Sequence, residues 1–145
     1  MDLSIPFEIS ASGLQAQRLR MNTISSNLAN IQSTRTAQGG PYRRKEVIFT
    51  GVPLPEQTFG RALTLATSPL QAVQVTAIME DTRDPKRIFD PGHPDADSDG
   101  VISLPNINLM EEMVNLMSAT RSYEANITVI DAAKNMALKA LEIGR

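Results

Sequence analysis

From Leu109 onward, steps of four, three, four and three residues pick out Leu109, Met113, Leu116, Thr120, Tyr123, Ile127, Ile130, Lys134, Ala137 and Leu141, and only Thr120 and Lys134 interrupt an apolar row. A hydrophobic period of about 3.5 residues sustained over several repeats predicts one unbroken helix, because a strand or a loop does not return side chains to one face at that interval. Asn108 followed by Glu111 forms a capping-box-like start just after Pro105, and Gly144 supplies a stop. The helix is expected to run for about 35 residues, roughly 50 Å at the standard rise.

Residues 4 to 31 predict a second helix. Phe7, Leu14, Met21 and Leu28 recur every seven positions, with Ala11 and Ile24 between them, Ser4 as N-cap and Pro6 tolerable in a first turn. The C-terminal helix also carries another stripe, Ala125, Val129, Ala132, Met136, Ala140 and Ile143, about 200° around from the Ile127, Ile130, Ala137 and Leu141 seam. The N-terminal helix can cover one of these faces, and no third long helix is predicted to cover the other. Other chains are expected to do so, with both ends loose in a monomer and ordered on assembly. The uncharged polar residues point the same way: Gln15, Gln17, Asn22, Asn27 and Asn30 on the first helix, and Asn115, Ser118, Thr120, Asn126 and Asn135 on the second, are expected at interfaces.

Between the helices, eight of the nine prolines and most of the glycines fall within residues 32 to 105, among short alternating runs. Gln71–Met79, Glu46–Thr50, Ala62–Ala66 and Val101–Leu104 are strand candidates. The expected fold is mainly α with a small β insert, the two terminal helices forming a coiled coil. Residues 1–31 and 106–145 make the helical part, and 32–105 the insert. Aromatic residues are only 4% of the chain, with no Trp, which suits slender helix-on-helix packing.

Composition narrows the chemistry. There is no Cys, so thiol catalysis, disulfides and Cys-ligated metals are excluded. His93 is the one histidine, which with no Cys leaves too few ligands for a zinc site, and lying between Gly92 and Pro94 it is expected to be a turn residue. The net charge of −2 gives no broad field towards nucleic acid, and Arg43-Arg44-Lys45 alone is too short for such a site, so a solvated or subunit-contacting strand edge is expected. Glu111 and Glu112 are explained by the helix start. Met1-Asp2-Leu3-Ser4-Ile5-Pro6 lacks a basic leader, and no apolar run is long enough to span a bilayer, so neither a cleaved signal nor membrane insertion is expected. Asp95, Asp97 and Asp99 followed by Gly100 reproduce the first half of an EF-hand loop, but the closing position is Asn106, and Pro91 and Pro94 preclude a regular entering helix. The simpler reading is an Asp-rich turn, with a calcium-binding module as the alternative.

The stretch Ile9–Asn30, with Ser26-Asn-Leu-Ala-Asn30 its most diagnostic part, resembles the N-terminal signature of the bacterial flagellar rod, hook and hook–filament junction proteins, and Leu104–Asn126 resembles their C-terminal motif. The short length and the Asp90–Asp97 stretch narrow the likeness to the proximal-rod members. The resemblance implies a non-enzymatic structural subunit without cofactor or metal. Its terminal helices would line an axial channel, its insert would form the outer part of the rod, and it would leave the cell unfolded through the flagellar type III export apparatus. The implied partners are further copies of the chain, other proximal and distal rod proteins and a rod-to-export-gate adaptor. Leu14, Met21, Asn27, Leu28, Asn30, Met113, Leu116, Tyr123, Asn126, Ile127, Ile130 and Leu141 are the expected assembly and packing residues. A type III-secreted helical translocator is a further alternative, although the helices lack the Lys-rich polar faces used in membrane binding.

Overall fold

The structure, a computed structural model, describes residues 4–54 and 70–143. Two long helices bracket four strands: α1 (Ser4–Ala29), β1 (Lys45–Pro53), β2 (Gln71–Glu80), β3 (Lys86–Phe89), β4 (Val101–Leu104) and α2 (Leu109–Ile143). The chain is mainly α with a small β-rich middle, as its periodicities predict. The strand expected at Ala62–Ala66 lies outside the described residues. β3 was not predicted, because its four residues carry only Ile88 and Phe89 as apolar content and all four are exposed.

Local chemistry sets the helix ends. α1 is described from Ser4, with Pro6 close to that end. At the other end, Asn30 Nδ2 donates to the Ser26 carbonyl at 2.9 Å and Asn30 Oδ1 accepts from Ser33 Oγ at 3.0 Å, while the Ile31 N–H reaches back only three residues to Leu28. That tightening closes the helix at Ala29, two residues before the expected end at 31. At the start of α2, Asn108 Oδ1 accepts the Met110 N–H at 3.0 Å, the predicted cap.

The helices pack antiparallel. Asn27 meets Glu112, Met21 meets Thr120, and Gly13 lies against Asn126. Asn27 and Gly13 are two heptads apart, as are Glu112 and Asn126, so the contact repeats in phase on both helices. One row of the predicted α2 seam, Leu116, Tyr123, Ile130 and Ala137, is half-buried. The other row needs correction. Met113 and Ile127 stay 49% and 40% exposed, and Leu109 and Leu141 are exposed as well, while Glu112, Ala119 and Ala133, one position earlier, are buried. The helix is turned by one residue because small side chains permit close approach and the polar ones find partners inside, which a row of Met and Ile does not allow at that distance. On α1 the same offset appears: Gly13 and Asn27 make the contact, and Leu14, Met21 and Leu28 flank it half-buried. At this register the last turns of α2 run past the described start of α1, leaving Met136, Leu138 and Leu141 exposed.

The insert consists of two antiparallel hairpins, and an isolated two-stranded hairpin is marginal in water. β1 and β2 pair from Lys45↔Glu80 to Pro53↔Gln71, with a bulge at Ile48/Phe49, and they lie on α1. There the Val73 N–H donates to Ser12 Oγ at 3.1 Å, so α1 covers part of the β2 edge. β3 and β4 pair from Lys86↔Leu104 to Phe89↔Val101. Their connection closes on Gly100, whose φ of +70° and tight approach to Phe89 and Pro91 exclude a side chain. Between the hairpins Asp81 accepts from the Arg83 N–H and Nε, and these hydrogen bonds hold its carboxyl below the ordinary range.

Two outcomes follow from these contacts. A Cβ at Gly13 would sit 3.0 Å from Asn126 Oδ1, and Asn126 is itself held by its bond to Ser122, so Gly13→Leu should cost about 1–3 kcal/mol in urea denaturation despite its better helix propensity. The folded Asp81 releases its proton more readily than the unfolded one, so its contribution is full above about pH 4 and is lost as the pH falls through the folded value. Arg83→Ala should therefore lower the urea midpoint at neutral pH, and the gap to the parent protein should close in acid.

Candidate assembly site

The two largest fully buried side chains of the described residues, Glu112 and Asn27, are polar, and they sit where three elements meet. Asn27, in the last turn of α1, is 0% exposed. Its Nδ2 donates to the Lys45 carbonyl at 2.8 Å and to Glu112 Oε2 at 3.0 Å. Its Oδ1 accepts from the Lys45 N–H at 2.9 Å and from Tyr42 Oη at 3.1 Å. All four hydrogen-bonding positions of the amide are filled. Towards the backbone of Lys45 the amide behaves as a neighbouring strand would, satisfying the N–H and the C=O of one residue at the free edge of β1.

Glu112, also 0% exposed, carries the second half of the node. Arg44 Nε donates to Glu112 Oε1 at 2.8 Å, and the same guanidinium reaches Glu46 at 3.3 Å. Burial opposes the charge on Arg44, but its hydrogen bond to Glu112 and the attraction of Glu112, Glu46 and Glu111 outweigh that and hold it above its ordinary value. A buried ion pair with further hydrogen bonds adds little net stability and is costly to break, so its main effect is to admit one arrangement of α1, β1 and α2. Glu112, expected only to serve the helix start, is a buried partner of Asn27 and Arg44, and Arg44, expected on a solvated or subunit-contacting strand edge, has 12% of its side chain exposed and pairs within the chain. Their positions 68 residues apart give no local signal of the pairing; the one hint is that Glu112 lies two heptads before Asn126.

The other expected site residues fall into three groups. Leu14, Met21, Leu28, Leu116, Tyr123 and Ile130 are half-buried around the helix pair, with Thr120 Oγ1 donating to Met21 Sδ at 3.7 Å. Asn126 packs on Gly13, and Asn30 closes α1 locally. Met113, Ile127 and Leu141 are exposed. Sequence reasoning missed Gly13, Tyr42, Arg44 and Glu112 as members of the site.

The Asp-rich loop is a structural turn. Asp95 accepts from Thr34 Oγ1 at 2.7 Å, His93 Nδ1 accepts the Asp95 N–H at 3.1 Å, and the Gly100 N–H bonds the Asp97 carbonyl at 2.8 Å. Among the described residues no three His, Asp or Glu side chains converge on a point that could hold a metal. Residues 101–104 are committed to β4, which carries Asn106 away from the loop, so the EF-hand alternative is not supported. No helix of the described residues is long and apolar enough to cross a membrane.

Breaking the node should be costly. Asn27→Leu strands the Lys45 N–H and C=O and removes one partner of the buried Glu112, and is expected to cost about 3 kcal/mol or more by chemical denaturation. Tyr42→Phe removes the rim hydroxyl that donates to Asn27 Oδ1 and meets Ser26 Oγ at 3.3 Å, and should cost about 1 kcal/mol.

Residues 7–37 match the family described as "Flagella basal body rod protein", and residues 98–143 match "Flagellar basal body rod FlgEFG protein C-terminal". Both matches include a node residue, Asn27 in the first and Glu112 in the second. The chain is 43% identical to the "Flagellar basal-body rod protein FlgC" of Bacillus subtilis, over 94% of this chain and 95% of that one. It is 41% identical to the protein of the same name from Borreliella burgdorferi, over 99% and 98% of the two chains. The Salmonella typhimurium protein of that name is 40% identical over 96% of each. With both terminal helices and the insert aligned across nearly the whole length, the chain belongs to the FlgC family of flagellar basal-body rod proteins.

Proposed function

We propose that this chain is a structural subunit of the flagellar basal-body rod, polymerising through its terminal helices into the axial shaft that transmits torque and encloses the export channel. It is not an enzyme. The observation that carries the reading is the apolar surface left on α2 after α1 has packed: Met113, Val114, Met117, Ile127, Val129, Met136, Leu138 and Leu141 are all exposed in the single chain. An exposed apolar surface spread along a long helix marks an interaction face. The heptad-phased contact of α1 with α2 supports reading them as an antiparallel coiled coil to which neighbouring subunits add further helices.

On this reading residues 1–31 and 106–145 form the axial layer and 32–105 the outer part. Leu14, Met21, Asn27, Leu28, Leu116, Tyr123, Asn126 and Ile130 hold the helix pair, with Asn30 closing α1. Met113, Ile127 and Leu141 face neighbouring subunits. These neighbours are further copies, other proximal and distal rod proteins and the adaptor to the export gate. The thin pairing of the helices suits a subunit that crosses the export apparatus unfolded and gains its order on assembly in the rod across the periplasm.

Ile127 separates assembly from folding, since it is 40% exposed in the single chain. Ile127→Asp should leave the thermal midpoint of the purified monomer within a few degrees of the parent, yet abolish complete basal bodies in electron micrographs of cells that depend on this chain. Normal basal bodies and wild-type swimming in that variant would contradict the assignment.

A further inference from the structure

We propose that the outer edge of β3 pairs with the same edge of a second copy of the chain, antiparallel about a two-fold axis at Ile88. Two β3–β4 hairpins thereby join into one four-stranded sheet. The contact uses neither terminal helix and goes beyond the rod reading.

β3 is bonded to β4 on one side only. The ladder that includes Ile88↔Ile102 runs one rung past the strand, where the Asp90 N–H donates to the Gly100 carbonyl at 2.9 Å. That bond fixes the direction of the backbone groups before it. Alternation turns the N–H and C=O of Ile88 towards β4 as well, and turns those of Arg87 and Phe89 outward, where no backbone partner meets them among the described residues. All four residues of β3 are exposed, Ile88 by 46% and Phe89 by 71%, even though Phe89 leans on Gly100. An open edge that carries apolar side chains is a template for another strand.

The edge is complementary to itself. With Ile88 on the axis, Arg87 of each copy lies opposite Phe89 of the other, so outward groups meet outward groups and the two pairs exchange four backbone hydrogen bonds. The side chains match in the same register. Arg87, which has no partner among the described residues, meets an aromatic ring, Ile88 meets Ile88, and Lys86 meets Asp90. Asp90 gives only Oδ1 to the Gly92 N–H, at 3.2 Å, and Lys86 Nζ keeps donors beyond the one it directs at the Ile107 carbonyl. A shift by one rung in either direction loses this match. It sets Arg87 against Arg87, or against Pro91, which has no N–H to give.

A hairpin of two short strands is marginal in water, and a sheet of four gains from the pairing. A two-fold contact closes on itself, so it belongs to the free subunit and not to the repeat of a polymer. There it covers an edge that would otherwise pair with any available strand.

The absence of Cys from the chain makes the register directly testable on the purified protein. Residues facing each other at the axis form a non-hydrogen-bonded pair with Cα atoms about 4.5 Å apart, within the reach of a disulfide. Mild oxidation should therefore convert Ile88→Cys to a single linked dimer, while Arg87→Cys alone and Phe89→Cys alone should stay unlinked. Arg87→Pro removes an outward N–H that the fold does not use, and proline is tolerated at such an edge position. Added to Ile88→Cys, it should slow linkage roughly ten-fold or more, with the thermal midpoint of the monomer held within a few degrees. Equal linkage at positions 87, 88 and 89, or none at 88 in the folded protein at high micromolar concentration, would overturn the pairing. Neither result bears on the rod assignment, which is read in basal bodies.

Discussion

The fold depends on one side-chain amide. Asn27 holds the backbone of Lys45 on one side and Glu112 on the other, so α1, the entry to β1 and the start of α2 are fixed to each other through four hydrogen bonds to a fully buried side chain. Each of those groups would be stranded without it, and in low dielectric a stranded group costs more than the bond it replaces. Glu112 and Arg44 extend the same logic across 68 residues of sequence. The result is a junction that tolerates one geometry only, placed where the insert leaves the helical part.

Away from that junction the helix pair is held by little. Gly13, Ala119, Ala133 and Asn126 make the close contact, and the larger apolar residues sit at its flanks or on the far side. A self-sufficient two-helix protein would turn its Met and Ile inward to gain burial energy. This chain turns them outward and spends small and polar residues on the inner contact. Such an arrangement is unfavourable for an isolated molecule and favourable for a component whose remaining faces are covered by neighbours, which is how a rod subunit exists.

The insert follows a related economy. Its hairpins are too small to stand alone, and each is tied to the helical part or its connector: Ser12 blunts the β2 edge, Asn27 occupies one residue of the β1 edge, Thr34 anchors the Asp95 turn, and Lys86 Nζ donates to the Ile107 carbonyl at 2.9 Å. Covering edges with side chains from a helix limits unwanted strand pairing while leaving short stretches open for specific contacts.

The helices, the Asn108 cap, the strand at 71–80 and the family were legible in the sequence, because heptad spacing, alternation and capping chemistry act between near neighbours and leave a periodic trace. β3 left none, since a four-residue strand with two apolar side chains has no pattern to read. Periodicity also identified which rows of α2 are apolar, but not which row meets α1. With apolar residues on several faces, any of a few rotations gives a plausible seam, and the choice fell to residues whose partners lie far along the chain: Glu112 with Arg44 and Asn27, and Asn126 with Gly13. Local order was thus written in the chain itself, whereas the facing of the helices was decided only in three dimensions, where close approach and the satisfaction of buried polar groups outweigh hydrophobic count.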